Sequence, residues 1–275
     1  MADTDDFRRR YGTHAVVTGA AAGIGAAFAE SLAARGLHLV LVDLPSSPLG
    51  ALAERLRATH GVEVHAMTGD LTDPAFVEAV AAMRDRHEVG LLVSNAGIAL
   101  LGPFLDLPLE PQLAALDLHC RASLALTHRF GQRMRARKRG GIVLLSSNSA
   151  FLHTPLIANY AATKAYTLAL AEALYEELRG EGIDVLALAP GMTRTNALLG
   201  SNVDVGRAKY LIREPREVAE EALAHLGKTP SYVSSAGDRL AALLFGRLLP
   251  KKLSLTLAKQ SVRYFYPQFK DRLES

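Results

Sequence analysis

The feature that most constrains this chain is an alternation that runs from residue 13 to about residue 190. Short runs rich in β-branched and aliphatic side chains are separated by longer Ala/Leu-rich stretches of helical period. Strands that alternate with helices are joined by crossovers, and crossover-linked strands lie parallel in one sheet. Strands are expected over 14–18, 37–42, 63–68, 90–94, 140–146 and 184–189. Their near-continuous hydrophobicity implies cover on both faces. Helices are expected over 25–35, 49–60, 74–86, 111–137, 159–180 and 215–226, several with Pro near the start and Gly past the end. The expected fold class is therefore α/β, a doubly wound parallel sheet with helices on both faces and a helical C-terminal extension. One domain is expected over 1–235, with a substrate loop at about 192–215, and an apolar, basic, partly amphipathic extension over 236–275.

Composition narrows the class further. With 275 residues, 49% hydrophobic and 21% charged, the chain has enough apolar material for one large core. Disordered, collagen-like and disulfide-scaffold chains are excluded. Cys120 is the single cysteine, so no internal disulfide and no cysteine metal cage can form, and no metal site is expected. A reducing, cytoplasmic setting fits this best. The N-terminus carries acids and then arginines with no apolar run behind them, and no stretch of 18 apolar residues suggests a membrane span. The net charge of +3 is small and its bases form no stripe interleaved with aromatics, so nucleic acid is not an expected partner. Arg133, Arg135, Arg137, Lys138 and Arg139 read as the solvated end of a helix.

Directly after the first expected strand stands Thr18-Gly19-Ala20-Ala21-Ala22-Gly23-Ile24-Gly25, and a helix follows. Glycines let a backbone turn tightly and approach a pyrophosphate, and a helix N-terminus offers unpaired N–H donors with the positive end of its dipole. The strand-turn-helix context makes this a dinucleotide site, with Gly19, Gly23, Ile24 and Gly25 as its cradle. Asp43 closes the second strand, where a carboxylate accepts hydrogen bonds from ribose hydroxyls and repels a 2′-phosphate. No base follows it, because the next residue is Leu44. NAD is accordingly expected in preference to NADP. Asp70-Leu71 after the third strand and Asn95-Ala96-Gly97 after the fourth lie at carboxyl ends of strands, facing the same crevice.

Tyr160 and Lys164 are four residues apart near the start of a helix and project from one face. A phenol is a poor base at neutral pH, and a nearby ammonium favours its ionised form. Ser147, just past a strand, is placed to bind a reacting oxygen.

Taken together, TGAAAGIG, NAG at 95–97, Ser147, YAATK at 160–164 and PG at 190–191 resemble the short-chain dehydrogenase/reductase family in order and spacing, from about residue 12 to 191. The resemblance implies a single-domain Rossmann-type fold in which Tyr160 exchanges a proton with the substrate oxygen. Lys164 would tune Tyr160 and bind the nicotinamide ribose, Ser147 would orient the substrate, and Pro190, Gly191 and Thr193 would hold the nicotinamide end. Hydride would pass directly between nicotinamide and the carbon of an alcohol or ketone.

Three departures stand out. Ser94 replaces the first Asn of the family's NNAG. His119, in LDLHC at 116–120, stands where the family carries Asn, whose backbone carbonyl anchors a water linked to the lysine. A backbone group survives the change, and an imidazole there either titrates and alters the pH dependence or is a satisfied helix histidine. The helices resemble a subgroup associated with NADP, a pattern that Asp43 breaks. Leu152, Leu156, Ile157, Met192, Leu198 and Leu199 are candidates for an apolar wall, which favours a hydrophobic secondary alcohol or ketone, steroid-like or carrying an acyl chain. An NADPH-dependent ketone reductase of lipid metabolism is the alternative enzyme. A non-catalytic NAD-binding protein would be expected to break the Ser147, Tyr160 and Lys164 set, which is complete. A homo-oligomer is expected, and the stretch after residue 238 reads as a lid, a subunit contact or a surface resting on a membrane.

Overall fold

The computed structural model describes residues 2–270. Seven strands, β1 (His14–Thr18), β2 (His38–Asp43), β3 (Val64–Thr68), β4 (Val89–Ser94), β5 (Gly140–Leu145), β6 (Ile183–Ala189) and β7 (Ser231–Val233), form one sheet. Every pairing is parallel, in the order β3-β2-β1-β4-β5-β6-β7. The helices are α1 (Ala2–Tyr11), α2 (Gly23–Ala34), α3 (Leu49–His60), α4 (Pro74–Ala81), α5 (Met83–Arg86), α6 (Leu109–Leu116) and α7 (Ser123–Arg137). They continue with α8 (Ser149–Leu152), α9 (Ala158–Arg179), α10 (Asn196–Leu199), α11 (Val205–Ala208), α12 (Pro215–His225), α13 (Ala236–Leu243) and α14 (Lys251–Phe265). The doubly wound α/β expectation and the helical C-terminal region are both found.

Both faces of the sheet are covered, as the runs of Val, Leu and Ile required. On one face Phe28 and Leu32 of α2, Leu56 of α3 and Val218 of α12 pack over Val17, Leu39 and Leu91. On the other, Val80 of α4, Leu126, Phe130 and Met134 of α7 and Ala171 of α9 cover Val16, Val40 and Ile142. Each fully buried Leu or Phe contributes about 1.5–3 kcal/mol, so these two layers hold the sheet. Strand order reverses at β1, whose neighbours are β2 and β4. The chain leaves β1 and β4 in opposite directions there, which opens the crevice in which such sheets bind ligands.

Four differences from expectation have physical causes. The N-terminal helix α1, unmarked by any apolar period, is held by tertiary contacts: Tyr11 is buried and its hydroxyl donates to Asp184 at 2.8 Å, beside the Arg10–Asp184 pair at 2.6 Å. Strand β7 is only three residues long and exists through its register with Ala187–Ala189 of β6. The helix expected over 111–137 begins at Leu109 and is interrupted by a π-helical turn, Asp117–Ala122, which faces His119 inward. The basic cluster at its end is no merely solvated patch. Arg133 pairs with Asp85, Arg137 donates to the Val89 carbonyl at 2.5 Å and Arg139 pairs with Glu88 at 2.5 Å, stapling α7 to the entrance of β4. Among the described residues, no helix is long and apolar enough to cross a membrane.

Candidate active site

The glycine turn between β1 and α2 is as tight as the sequence required. Gly19 sits at φ +63°, and a Cβ there would meet the Ala96 Cα at 2.9 Å. At Gly25 an added Cβ would lie 2.0 Å from the Gly19 carbonyl oxygen, so only glycine allows the turn to close on the helix. No side chain caps α2, which leaves its N-terminal donors to a ligand, and Gly23 opens the helix against Thr195. Ile24 contributes backbone here, because its side chain packs into the core. Asp43, at the end of β2, accepts from the Ala21 amide at 2.8 Å and the Leu44 amide at 2.7 Å. Its carboxylate thus lies against the turn itself.

The loop after β4 is fastened to the same turn. Asn95 donates its side-chain amide to the carbonyls of Thr18 at 2.9 Å and Gly19 at 3.1 Å, while Thr18 Oγ1 accepts from the amides of Asn95 and Ala96, each at 3.0 Å. Two crevice walls become one rigid unit. The departure at Ser94 is absorbed internally, because its hydroxyl pairs with Ser123 at 2.9 Å in a buried site. Asp70 follows β3 and accepts from the Thr72 amide at 2.8 Å, an Asx turn, whereas Leu71 is buried in the core, so only its backbone is offered to the crevice.

Ser147, Tyr160 and Lys164 come together from two elements. Ser147 leaves β5, Tyr160 and Lys164 stand one turn apart on α9, and the Ser147 hydroxyl, which accepts from the Ser149 amide at 3.2 Å, lies near enough to the Tyr160 phenol to favour its ionised form. Lys164 is buried, with its ammonium 5.6 Å from the Tyr160 ring centroid and donating to the Leu145 carbonyl at 2.7 Å. Burial lowers its pKa to about 8. Burial pushes the Tyr160 phenol above its ordinary value, and Ser147 acts in the opposite direction.

His119 is buried against the Tyr160 helix and hydrogen-bonded through both ring nitrogens. Its Nε2 accepts from the Ile98 amide at 3.0 Å and its Nδ1 lies 2.8 Å from Thr163 Oγ1, which in turn donates to the Tyr160 carbonyl at 2.8 Å. Burial first, and the Lys164 charge second, lower its pKa to about 2. Both ring nitrogens of His119 thus have hydrogen-bond partners within the fold.

At the far side of the crevice Pro190 is buried and Gly191 begins the turn after β6. Thr193 is also buried and donates to the Gly191 carbonyl at 3.2 Å. The apolar hollow that reaches Tyr160 is lined by Ile98, Leu100, Phe104, Leu107, Ala115 and Leu156, with Gln112 and Asn159 as polar members. Of the six wall candidates only Leu156 lines it. Leu152, Ile157, Met192, Leu198 and Leu199 lie outside, because the wall is built by the 98–107 loop that follows NAG. Its alternating aliphatic residues were the available signal. Among the described residues no cluster of His, Cys, Asp and Glu could hold a metal.

The family profile described as short chain dehydrogenase matches residues 13–204. The chain belongs to the short-chain dehydrogenase/reductase family, a class of oxidoreductases. It is similar to the 7beta-hydroxysteroid dehydrogenase of Collinsella aerofaciens, 31% identical over 238 residues covering 85% of this chain and 89% of that one. It is equally similar to the human inactive hydroxysteroid dehydrogenase-like protein 1, 31% identical over 255 residues that cover 90% and 76% of the two chains. A short-chain dehydrogenase from Sphingobium yanoikuyae, solved in complex with NADPH, superposes with a TM-score of 0.77 at 34% identity, covering 84% of this chain and 91% of that one.

Proposed function

We propose that this protein interconverts a hydrophobic secondary alcohol and its ketone with NAD as the redox partner. The observation that carries the reading is the joining of Ser147, Tyr160 and Lys164 at the wall of a crevice whose other walls are the uncapped N-terminus of α2 and the Asp43 carboxylate. The bound dinucleotide supplies or accepts the hydride. Gly19, Gly23, Ile24 and Gly25 would hold its pyrophosphate, Asp43 its adenosine ribose, and Asp70, Leu71, Asn95, Ala96 and Gly97 would line its path. Lys164 would hold the nicotinamide ribose, and Pro190, Gly191 and Thr193 would flank the carboxamide.

In the reducing direction Tyr160, a protonated phenol, donates its proton to the developing alkoxide while Ser147 holds the same oxygen. Lys164 keeps a positive charge beside the phenolate that remains, which stabilises it in a site shielded from water. The apolar lining of Ile98, Leu100, Phe104 and Leu156 beside Tyr160 favours an apolar group next to the reacting carbon, and the name of the Collinsella relative is what suggests a steroid-like or acyl-chained substrate. The exposed stripe Leu109, Leu113 and Leu116 on α6 supports a homo-oligomer.

The complex with NADPH in the Sphingobium protein favours a second reading, reduction of a lipid-like ketone by NADPH. The Asp43 carboxylate, already turned toward the glycine loop, opposes a 2′-phosphate and is the reason NAD is preferred here. A panel of a medium-chain secondary alcohol, a 7β-hydroxysteroid and a 3-hydroxyacyl thioester, each with NAD and with NADP, tests both readings through the absorbance of the reduced dinucleotide. Turnover of at least one alcohol with NAD is expected. Tyr160→Phe should reduce it about 10²–10⁴-fold while dinucleotide binding persists. Full activity in that variant, or turnover with NADP alone, overturns the reading.

A further inference from the structure

Asp238 is the single carboxylate between residues 222 and 270, a stretch with eight Lys and Arg. It stands at the third position of α13, whose N-cap is Ser235, and this Ser-x-x-Asp spacing is that of a capping box. Half of the box is formed: Ser235 Oγ accepts from the Asp238 amide at 2.9 Å. The other half is not. An acidic side chain in that place normally turns back to the N-cap amide, but here Oδ1 accepts from the side-chain amide of Asn148 at 2.7 Å and Oδ2 from the Ser235 hydroxyl at 2.7 Å. Nor does it turn to its neighbour Arg239, whose guanidinium donates to the Val233 carbonyl at 3.0 Å.

The destination of that carboxylate matters. Asn148 directly follows Ser147, and its own amide donates to the Pro190 carbonyl at 3.0 Å. On the other side Asp238 Oδ2 rests on Gly191 so closely that an added Cβ would lie 2.1 Å from it. One carboxylate thus ties the Ser147 loop, the Pro190–Gly191 turn and the C-terminal extension into one junction. We propose that Asp238 is a positioning residue: through Asn148 it fixes the loop that aims the Ser147 hydroxyl at Tyr160, so the C-terminal extension completes the catalytic wall. This rests on the reading of Ser147 and Tyr160 given above.

The test uses the full chain and the best alcohol of the panel. D238A should lower kcat at least about 10-fold, as a displaced catalytic group does, with dinucleotide Kd within about threefold of wild type. D238N keeps an oxygen for the Asn148 amide, and Ser235 can reverse its hydroxyl, so this variant should recover most of kcat. N148A should lose as much as D238A, and the double variant no more than either alone, the signature of one coupled pair. Hydrogen exchange at 147–151 should rise in D238A and N148A, a readout independent of turnover. N148A, which leaves α13 and its cap intact, carries the same comparison if D238A does not fold. Wild-type kcat and exchange in both variants, or losses that multiply in the double variant, overturn the positioning role. Absence of turnover in the wild type overturns the reading of Tyr160 instead, and exchange then decides Asp238 alone.

Discussion

The Nε2 of His119 accepts a hydrogen bond from the Ile98 backbone amide at 3.0 Å. An imidazolium has no lone pair to accept with, so this bond holds the ring neutral and places its proton on Nδ1, toward Thr163 Oγ1 at 2.8 Å. Thr163 Oγ1 in turn donates a hydrogen bond to the Tyr160 carbonyl at 2.8 Å. The relay ties the loop after NAG to the backbone of the catalytic tyrosine. The pH–rate profile should therefore show no limb near the ordinary histidine value of about 6.5. His119→Ala should cost about 1–3 kcal/mol in urea unfolding, since the Ile98 amide is left without its acceptor. A limb near that pH that vanishes in His119→Ala would contradict the neutral assignment.

Ketone reduction needs a protonated Tyr160 and a charged Lys164. The phenol titrates above its ordinary value, so the limiting group on the alkaline side is Lys164, with a pKa of about 8. The reduction rate should be level below about pH 7 and fall as pH rises through about 8, where Lys164 loses its charge. Stopped-flow reduction across this range checks the sign. A rate that increases with pH through 8 would show that Lys164 is not the group in control.

Asp43 lies against the glycine turn with both oxygens accepting backbone amides. Asp43→Asn keeps an acceptor but removes the charge. NAD should then bind about 10-fold more weakly, in keeping with the loss of about 1.5–3 kcal/mol for a bond to a charged group, while repulsion of a 2′-phosphate disappears. The ratio of NADP to NAD affinity should rise by at least that factor in fluorescence-quenching titrations. An unchanged ratio would remove Asp43 as the discriminating residue.

Four histidines meet at the amino end of the sheet. The His14 ring lies 4.9 Å from His38 and 4.5 Å from His87, which lies 4.5 Å from His65. Nε2 of His14 and of His65 are buried with no hydrogen-bond partner. Burial, then the neighbouring His87 and His38, lower the His14 pKa to about 4, with Glu63 opposing weakly. The unfolded chain, with His near 6.5, binds more protons between those values, so stability is complete above about pH 6.5 and falls as pH drops toward 4. The loss from His14 should be about 1–2 kcal/mol after allowance for solvent screening. His14→Gln should flatten this acid limb in urea titrations at pH 5 against pH 7, and an equally steep limb would exclude His14 as its source.

The sequence by itself determined whatever depends on neighbours in the chain. Six of the seven strands, the glycine turn, and the one-turn spacing of Tyr160 and Lys164 all follow from local period and local sterics, and they appear within a residue or two of expectation. What it left open depends on groups far apart in sequence. Strand β7 requires β6 beside it, and α1 requires Asp184, 173 residues from Tyr11. The wall of the apolar hollow comes from the 98–107 loop, whose side chains face Tyr160 only after β4 and α9 are in place. The tertiary structure also sets the surroundings that lower the His119 pKa and raise that of Tyr160, because a pKa responds to burial and to charges that only folding brings close. Asp238 shows the same division: its spacing from Ser235 announces a helix cap, and only the packing of α13 on the Ser147 loop turns its carboxylate toward Asn148.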